Sequence, residues 1–196
     1  MARDPALELV HKAQADALKA LEWTPVELLV QAARFLARAL THGQVIYLCG
    51  NGGSATQAQH LGGELVGRFL LERPGLPAVA LNADPAILTA VGNDYGFERV
   101  FARQVQALMR PGDVLWALTT SGRSPNILSA LAAAREAGGR TLLMCGPNVP
   151  EGLEIDLALP APATGTPRIQ EMHLFFGHTI CHLVEHWLFD APGKLD

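Results

Sequence analysis

The 196-residue chain contains few charged residues and few cysteines. Only 17% of its residues are charged, against 49% that are apolar, so it does not have the composition of a disordered segment. The three cysteines, Cys49, Cys145 and Cys181, form no C-x-x-C pair. Cys49 and Cys145 each end an apolar run just before a glycine, a position typical of a buried thiol. We therefore expect a reducing compartment and no disulfides.

The sequence also lacks long apolar runs and an excess of basic charge. No apolar run approaches the roughly 18 residues of a membrane-spanning helix, and the first ten residues, MARDPALELV, do not have the pattern of a secretion signal. The net charge is −4, which disfavours a general electrostatic footprint for nucleic acid. These features predict a cytoplasmic protein that binds neither membranes nor nucleic acid. The low charge content predicts that part of the surface is hidden in an oligomer.

Two helices are predicted before the first strand. Asp4-Pro5 is typical of a helix start. The segment Thr24-Pro25-Val26-Glu27 fits a capping box for a second helix, which is expected to stop at His42-Gly43. Residues 1–42 are therefore predicted to form N-terminal oligomerisation helices. Residues 43–196 are predicted to form one compact domain without an internal linker.

From residue 45 onward, short apolar runs alternate with helical patterns. Strands are predicted at Val45–Cys49, Ala78–Leu81, Val114–Thr119, Arg140–Cys145 and Ile155–Leu159. Helices Pro85–Val91 and Phe97–Met109 are expected around a loop, Gly92–Gly96, and a long C-terminal helix is expected from near Arg168. This order predicts the α/β class, with a doubly wound parallel sheet flanked by helices. Ligands of such sheets bind outside the carboxyl ends of the strands.

A glycine-rich loop follows the first predicted strand. It reads Gly50-Asn51-Gly52-Gly53-Ser54 and leads into a helix, so backbone N–H groups and the helix dipole favour an anion there. It is not a P-loop, because no Gly-Lys-Ser/Thr follows. It is not a G-x-G-x-x-G loop either, because Ala55 stands three residues after Gly52. A nucleotide is therefore not expected as the ligand.

A second loop, Thr119-Thr120-Ser121-Gly122-Arg123-Ser124, brings four hydroxyl groups to the start of another helix. A hydroxyl-rich turn without lysine suits a phosphomonoester held by neutral donors. Simple helix capping is the alternative for either loop taken alone. Two such loops in one parallel sheet favour a phosphate site.

Histidine and glutamate side chains follow the glycine-rich loop. His60 and Glu64 lie four residues apart and therefore share one helix face. Such a pair can move protons or hold a divalent metal ion, while a solvated hydrogen bond is the alternative. On the last helix, His178, His182 and His186 form a row that is more typical of a polar face than of a metal site.

Together these segments resemble the phosphoheptose isomerases of the sugar-isomerase (SIS) superfamily. The matching segments are Cys49–Ser54, His60–Arg68, Val91–Phe97, Gly112–Ser124 and Arg168–His178. The combination of NGGS, H-x-x-x-E and RIQE-x-H is more specific than the Thr-Ser-Gly-x-Ser motif of the superfamily. The resemblance implies a SIS-type fold, dimerisation through the N-terminal helices, and conversion of sedoheptulose 7-phosphate to D-glycero-D-manno-heptose 7-phosphate. That reaction is the first step of heptose synthesis for lipopolysaccharide or related glycans.

The resemblance also implies roles for individual residues. Glu64 corresponds to the base that moves a proton between C1 and C2 through an enediol, and His178 to the acid that serves the sugar oxygens. The phosphate would be held by Ser54, Thr119, Ser121 and Ser124. The remaining substrate contacts would be Asn51, Gly52, Gly53, Arg68, Asn93, Asp94, Thr120 and Gln170. Some members bind zinc at the positions of His60, Glu64, Gln170 and His178; the isomerisation itself needs no redox cofactor.

Two features qualify the resemblance. Gln170 and His178 lie about 12 Å apart along a helix axis, so they can meet one ion only through long reaches or as copies from different chains. This spacing predicts a homotetramer whose active sites lie at subunit interfaces.

Pro167 stands where the family often has Asp, and Thr119 where it often has Ser, so one sugar-hydroxyl contact is missing or replaced.

Two non-catalytic functions are the alternatives. A tetrameric relative in the superfamily binds the bacterial replication initiator, and this sequence shares with it stretches such as Ala80–Asp84 and Arg168–Met172. A sugar-phosphate sensor would keep both loops without needing a catalytic pair. The initiator-binding relative is taken to lack a carboxylate and an imidazole at the positions of Glu64 and His178. Their presence here favours the enzyme.

Overall fold

Helices and strands alternate along residues 4–191, the part of the chain that the computed structural model describes. The helices are α1 (Pro5–Glu22), α2 (Val26–Thr41), α3 (Gly53–Val66), α4 (Pro85–Tyr95), α5 (Ala102–Leu108), α6 (Pro125–Glu136) and α7 (Thr166–Glu185). The strands are β1 (Ile46–Gly50), β2 (Ala78–Ala80), β3 (Val114–Thr119), β4 (Arg140–Cys145) and β5 (Leu157–Pro160). A π-helical turn, His186–Asp190, continues α7. Within residues 4–191, no helix combines the length and apolar character needed to cross a membrane.

The five strands form one parallel sheet in the order β2-β1-β3-β4-β5. Ile46 of β1 pairs with Val114 of β3, and the register continues to Gly50 opposite Leu118. The chain proceeds from β1 to β2 on one side and from β3 to β4 on the other. The strand order therefore reverses between β1 and β3, which is the point where open α/β sheets bind ligands. The predicted doubly wound parallel sheet is confirmed.

Helices cover both faces of the sheet. Trp116 and Leu118 of β3 pack in a core with α2, α3 and α7, while Leu115 and Ala117 pack on the opposite face with α5 and α6. Every residue of β1 and β3 is buried. A strand covered on both faces needs apolar side chains at successive positions, which is why these strands read as continuous apolar runs.

The predicted loop Gly92–Gly96 is largely helical, so that prediction is wrong. Helix α4 runs to Tyr95 and carries Asn93 and Asp94 in its last turn. The start of the helix is capped by Asp84, whose side chain accepts hydrogen bonds from the first-turn N–H groups of Ala86 and Ile87. Its other end is set by Gly96, whose φ of +86° favours glycine. Beyond that glycine, a 3-10 turn (Phe97–Arg99) and α5 replace the single helix that was predicted.

The two N-terminal helices form, but the second is capped differently from the prediction. Asp4 caps α1 as expected. Thr24 does not cap α2, because its hydroxyl donates to the carbonyl of Ala20, and Pro25 occupies the cap position. Helix α1 exposes large apolar side chains, and three of them, Leu7, Val10 and Leu18, share one face of the helix. Their exposure fits the prediction that these helices pack on another subunit, which stays a prediction.

The three cysteines are free and buried. Burial raises the pKa of Cys49 to about 12 and that of Cys145 to about 11. Burial is also the main cause that raises the pKa of Cys181 to about 12. The thiolate is the reactive form of cysteine, so none of these side chains is available as a nucleophile at neutral pH. Their role is packing, as the sequence predicted for Cys49 and Cys145.

Candidate active site

The two loops predicted to bind phosphate meet at the carboxyl ends of β1 and β3, at the reversal in strand order. Together with the start of α7 they line a cavity of about 290 Å³. The lining residues are Asn51, Gly52, Gly53, Ser54, Leu118, Thr119, Thr120, Ser124, Thr166 and Gln170. We call this space the anion cavity.

Three helix N-termini border the anion cavity, those of α3, α6 and α7. No described side chain caps the first turn of any of the three, whereas Asp4 and Asp84 cap α1 and α4. The first N–H groups of a helix have no partner within the helix. Uncapped N-termini that border one cavity leave these donors for a ligand, and their dipoles favour a negative charge.

The glycines of the first loop permit both a tight turn and a close contact with α7. Gly52 has a φ of +54°, which favours glycine. At Gly53, an added Cβ would collide with the side-chain amide of Gln170. One turn further along α3, Nε2 of Gln57 donates to the backbone carbonyl of Gln170 at 2.6 Å. The loop sequence therefore places Gln170 at the anion cavity.

The hydroxyl groups of the second loop are not equivalent. Thr119 is buried, and its Oγ1 lies 3.4 Å from Oγ of Ser124. Both side chains line the anion cavity. Ser121 is exposed, and its Oγ accepts the N–H of Arg123 at 3.1 Å within the turn. Among the four predicted phosphate-binding hydroxyls, the structure brings Ser54, Thr119 and Ser124 to the cavity and leaves Ser121 outside its lining.

Two polar residues of the site are not predicted from the sequence. Asn126 is buried, and its side-chain amide exchanges two hydrogen bonds of 2.8 Å with that of Asn51, which fixes Asn51 at the cavity. Thr166 lines the cavity as the first residue of α7. The sequence predicts that this helix begins near Arg168, so it does not place Thr166 in the helix or at the site. The sequence Gly165-Thr166-Pro167 was the available signal, because proline is favoured in a first helical turn.

A second polar group lies further along α3, where it meets α7. Nε2 of His60 is 2.8 Å from Nε2 of His178 and 3.3 Å from Oε1 of Glu64. One ligand atom from each of the three residues lies within 4.8 Å of the others. His60 and His178 are 118 residues apart in the chain, and the contact between α3 and α7 brings them together. We call this group the His–Glu–His cluster.

The His–Glu–His cluster fits a divalent metal ion. Two imidazole nitrogens and one carboxylate oxygen form a donor set found in catalytic zinc sites, where a further position stays open for a ligand. The two facing nitrogens share at most one proton in the neutral state, so at least one presents a lone pair. The side chain of His60 is 45% exposed and that of Glu64 20%, so a ligand can reach both. Gln170, the fourth predicted metal ligand, lies instead against Gly53.

Comparison with known proteins identifies the family. The SIS domain family matches residues 11–145. The phosphoheptose isomerase of Solidesulfovibrio magneticus is 54% identical over 169 residues, which cover 86% of this chain and 83% of that protein. The chain belongs to the phosphoheptose isomerase family. The resemblance found in the sequence is thereby confirmed, and the protein is a sugar-phosphate isomerase, an intramolecular oxidoreductase.

Solved structures of phosphoheptose isomerases also agree with the fold. The enzyme from Neisseria gonorrhoeae is 39% identical with a TM-score of 0.85, and the match covers 92% of this chain and 98% of that one. The enzyme from Francisella tularensis is 34% identical with a TM-score of 0.84, over 95% of this chain and all of that one. These matches confirm the SIS-type arrangement predicted from the sequence.

Besides Ser121, three residues that the family resemblance assigns to the substrate lie outside the lining of the anion cavity. Arg68 is exposed just after α3, and its Nε is 3.6 Å from a carboxylate oxygen of Glu72. Asn93 donates to Asp94 at 2.8 Å, and both are exposed on α4. Their substrate contacts stay predictions.

Proposed function

We propose that the protein converts sedoheptulose 7-phosphate to D-glycero-D-manno-heptose 7-phosphate through an enediol. The observation that carries this proposal is the continuity of α3, which begins at the anion cavity and bears His60 and Glu64 of the His–Glu–His cluster. Ser54 and His60 are separated by about 9 Å along the helix axis. A seven-carbon sugar phosphate is long enough to place its phosphate at the first site and its reacting carbons at the second.

The anion cavity would anchor the 7-phosphate. Ser54, Thr119 and Ser124 offer hydroxyl donors, and the N-termini of α3, α6 and α7 add backbone N–H groups. The phosphate is remote from C1 and C2 of the sugar. Its binding energy can therefore align the reacting carbons, while Asn51, Thr120 and Gln170 are placed to contact sugar hydroxyls.

Glu64 and His178 would carry out the proton transfers. The Glu64 carboxylate removes a proton from C1 of the ketose while His178 donates a proton to the carbonyl oxygen at C2, and the product is the 1,2-enediol. His178 then accepts the proton of the hydroxyl at C1, and Glu64 returns a proton to C2, which gives the aldose. Both groups end in their starting protonation states, so the cycle needs no redox cofactor.

Zinc is the metal that we propose for the His–Glu–His cluster. His60, Glu64 and His178 would hold it through one ligand atom each, which leaves the second carboxylate oxygen of Glu64 and the other ring nitrogen of His178 for proton transfer. Gln170, the fourth ligand implied by the family resemblance, lies against Gly53 and would join the ion only through a long reach or from a neighbouring subunit. A bound zinc ion would polarise a sugar oxygen as a Lewis acid. The donor types and their spacing support this assignment.

We further propose that the enzyme is a cytoplasmic homotetramer that supplies heptose for lipopolysaccharide or related glycans. The exposed apolar face of α1 offers a surface for another subunit. The cluster itself is open at the surface, with nearly half of the His60 side chain exposed. A neighbouring subunit would exclude water from it. A monomer with full activity would contradict this assembly.

Proton NMR of the purified protein with sedoheptulose 7-phosphate in deuterated water tests the reaction. The expected result is an aldose anomeric signal from a heptose phosphate, with deuterium incorporated at C2 through the enediol. Parallel samples with added zinc and with a chelator test the metal. If protein that binds the sugar phosphate gives no aldose signal in either sample, the isomerase proposal is wrong, and the initiator-binding or sensor alternative takes its place.

A further inference from the structure

A buried carboxylate near the end of α7 makes contacts that the proton transfers do not use. Oε1 of Glu185 accepts the N–H of Phe69 and Nε–H of Arg73, both at 2.8 Å. Oε2 accepts the N–H groups of Leu70 and Leu71 at 2.8 and 3.0 Å. The side chains of Glu185 and Arg73 are each only 1% exposed. One carboxylate therefore fixes three consecutive residues of the segment after α3.

Arg73 extends this contact to the end of α3. Its Nη2 donates to the carbonyl of Glu64 and its Nη1 to that of Leu65, both at 2.8 Å. These carbonyls belong to the last turn of α3, where no partner within the helix is available. The turn that carries the catalytic carboxylate is thus bound, through one guanidinium group, to α7.

The same carboxylate also determines the position of an aromatic ring beside the catalytic imidazole. The ring of Phe69, whose N–H is bound by Glu185, lies 5.5 Å from that of His178 and 6.2 Å from that of His182, between centroids. His178 precedes Glu185 by two helical turns and lies on the same face of α7. Arg73 therefore contacts the backbone of Glu64, and Glu185 is linked to His178 through Phe69, while neither residue contacts the reacting atoms.

The charges of this pair are not explained by stability alone. Burial on its own would raise the pKa of Glu185, but the hydrogen bonds from Leu70, Phe69 and Leu71, followed by that from Arg73, hold the pKa below its ordinary value. A buried ion pair gains little stability over apolar residues of similar volume, because both charges lose their hydration. The pair adds directional hydrogen bonds. It takes part in seven of them, including one from Arg73 to the backbone carbonyl of Pro74.

We propose that Glu185 and Arg73 are positioning residues of the isomerase, which hold Glu64 on α3 and His178 on α7 at their working separation. The proposal rests on the proposed function, because it treats these two residues as the proton-transfer pair. Its prediction is specific: breaking the pair impairs the chemical step and leaves the anion cavity, at the other end of α3, unchanged.

Three variants and one matched control test the proposal. Glu185→Gln removes the charge with little change in shape, Arg73→Lys keeps the charge but loses the planar fork of donors, and Phe69→Leu removes the ring alone. The control is Asp156→Asn. Asp156 also accepts hydrogen bonds from a backbone N–H, a hydroxyl and an arginine, but it joins β4 to the segment before β5, away from the cluster.

Steady-state kinetics and calorimetric titration with inorganic phosphate give the first readout. We expect Glu185→Gln and Arg73→Lys to lower kcat by about 10- to 100-fold, the usual effect of losing a group that orients a functional side chain. KM and the affinity for phosphate are expected to stay within about two-fold of the parent values. Asp156→Asn is expected to lower the melting temperature without lowering kcat of the folded enzyme. Parent-like kcat in both Arg73→Lys and Glu185→Gln would overturn the proposal.

Proton NMR of the His178 ring in metal-free protein gives a second readout, which does not depend on turnover. The Phe69 ring shifts the signals of the neighbouring imidazole, so Phe69→Leu calibrates the effect of losing that contact. Glu185→Gln and Arg73→Lys are expected to move the His178 signals, and Asp156→Asn to leave them in place. If the parent has no isomerase activity, the proposed function fails, and these signals still decide the positioning role. Unchanged His178 signals in the variants would overturn it. If Glu185→Gln does not fold, Arg73→Lys carries the test.

Discussion

The anion cavity and the His–Glu–His cluster share helix α3 but are assembled in different ways. Most of the cavity wall comes from two short stretches, residues 50–54 and 119–124, each of which joins the end of a strand to the start of a helix, and the start of α7 completes it. The cluster joins side chains 118 residues apart, and it depends on how α7 lies against α3. The cavity therefore depends mainly on local loop sequences, whereas the cluster depends on tertiary packing.

This difference predicts how each region responds to change. Many hydroxyl and backbone donors would share one phosphate in the cavity, so the loss of one leaves the others. In the cluster Glu64 and His178 would each carry out a separate part of the proton transfer. Substitutions in the cavity should weaken phosphate binding and leave the proton transfers intact, and substitutions of Glu64 or His178 should remove most of the chemistry and leave phosphate binding intact.

The largest expected effect comes from Glu64→Gln. The amide cannot take a proton from C1, so kcat should fall by about 10²- to 10⁴-fold, the usual contribution of a general base. The affinity for inorganic phosphate should stay as in the parent, because the anion cavity is untouched. Enzyme kinetics and calorimetry measure the two quantities, and Glu151→Gln, at an exposed loop position, is the control. Retained turnover would remove Glu64 as the base, and lost phosphate binding would contradict the separation of the two regions.

A comparison of Ser124→Ala with Ser121→Ala tests the cavity itself. Ser124 lines the cavity, while the hydroxyl of Ser121 is used within its own turn. Loss of a hydrogen bond to a charged group costs about 1.5–3 kcal/mol, so Ser124→Ala should weaken phosphate binding by about ten-fold or more. Ser121→Ala should have a clearly smaller effect. The measurement is phosphate titration of both variants, and a larger loss for Ser121→Ala would restore the sequence-based assignment of Ser121 to the phosphate.

Local features of the fold could be predicted from the sequence. Strands β3 and β4 have the predicted bounds, Val114–Thr119 and Arg140–Cys145, because buried strands between turns leave continuous apolar runs. The end of α4 could not be predicted in this way. Gly92-Asn93-Asp94 is typical of a loop, yet Leu88 and Val91 pack against the core, and this packing carries the helix to Tyr95 in spite of a low helix propensity.

The candidate site could likewise be predicted only where its residues are close together in the sequence. The two loops and the His60–Glu64 pair follow from spacing alone, because their partners are near in sequence. His178 could be assigned only through the family resemblance, since nothing in its neighbourhood indicates which distant helix it meets. The contact of Glu185 with Arg73 spans 112 residues and leaves no periodic pattern. A buried pair of this kind can be identified only from the three-dimensional structure.

The smallest expected effect is that of Thr166→Val, which removes one hydroxyl from the cavity wall and preserves the branched shape of the side chain. Thr166 is the first residue of α7 and follows Gly165, whose φ of +81° sets the turn. A neutral hydrogen bond to a sugar hydroxyl is worth about 0.5–1.5 kcal/mol, so KM should rise by about two- to ten-fold while kcat stays close to the parent value.

Thr164→Val, two residues earlier and outside the cavity lining, is the matched control for steady-state kinetics. A rise in KM confined to Thr166→Val would show that α7 contributes to substrate anchoring at its first turn as well as to the chemistry at His178. A fall in kcat as large as that of Glu64→Gln would mean that the first turn of α7 also positions the reacting carbons. In that case phosphate anchoring and proton transfer would both depend on α7, and the two regions of the site would not act separately.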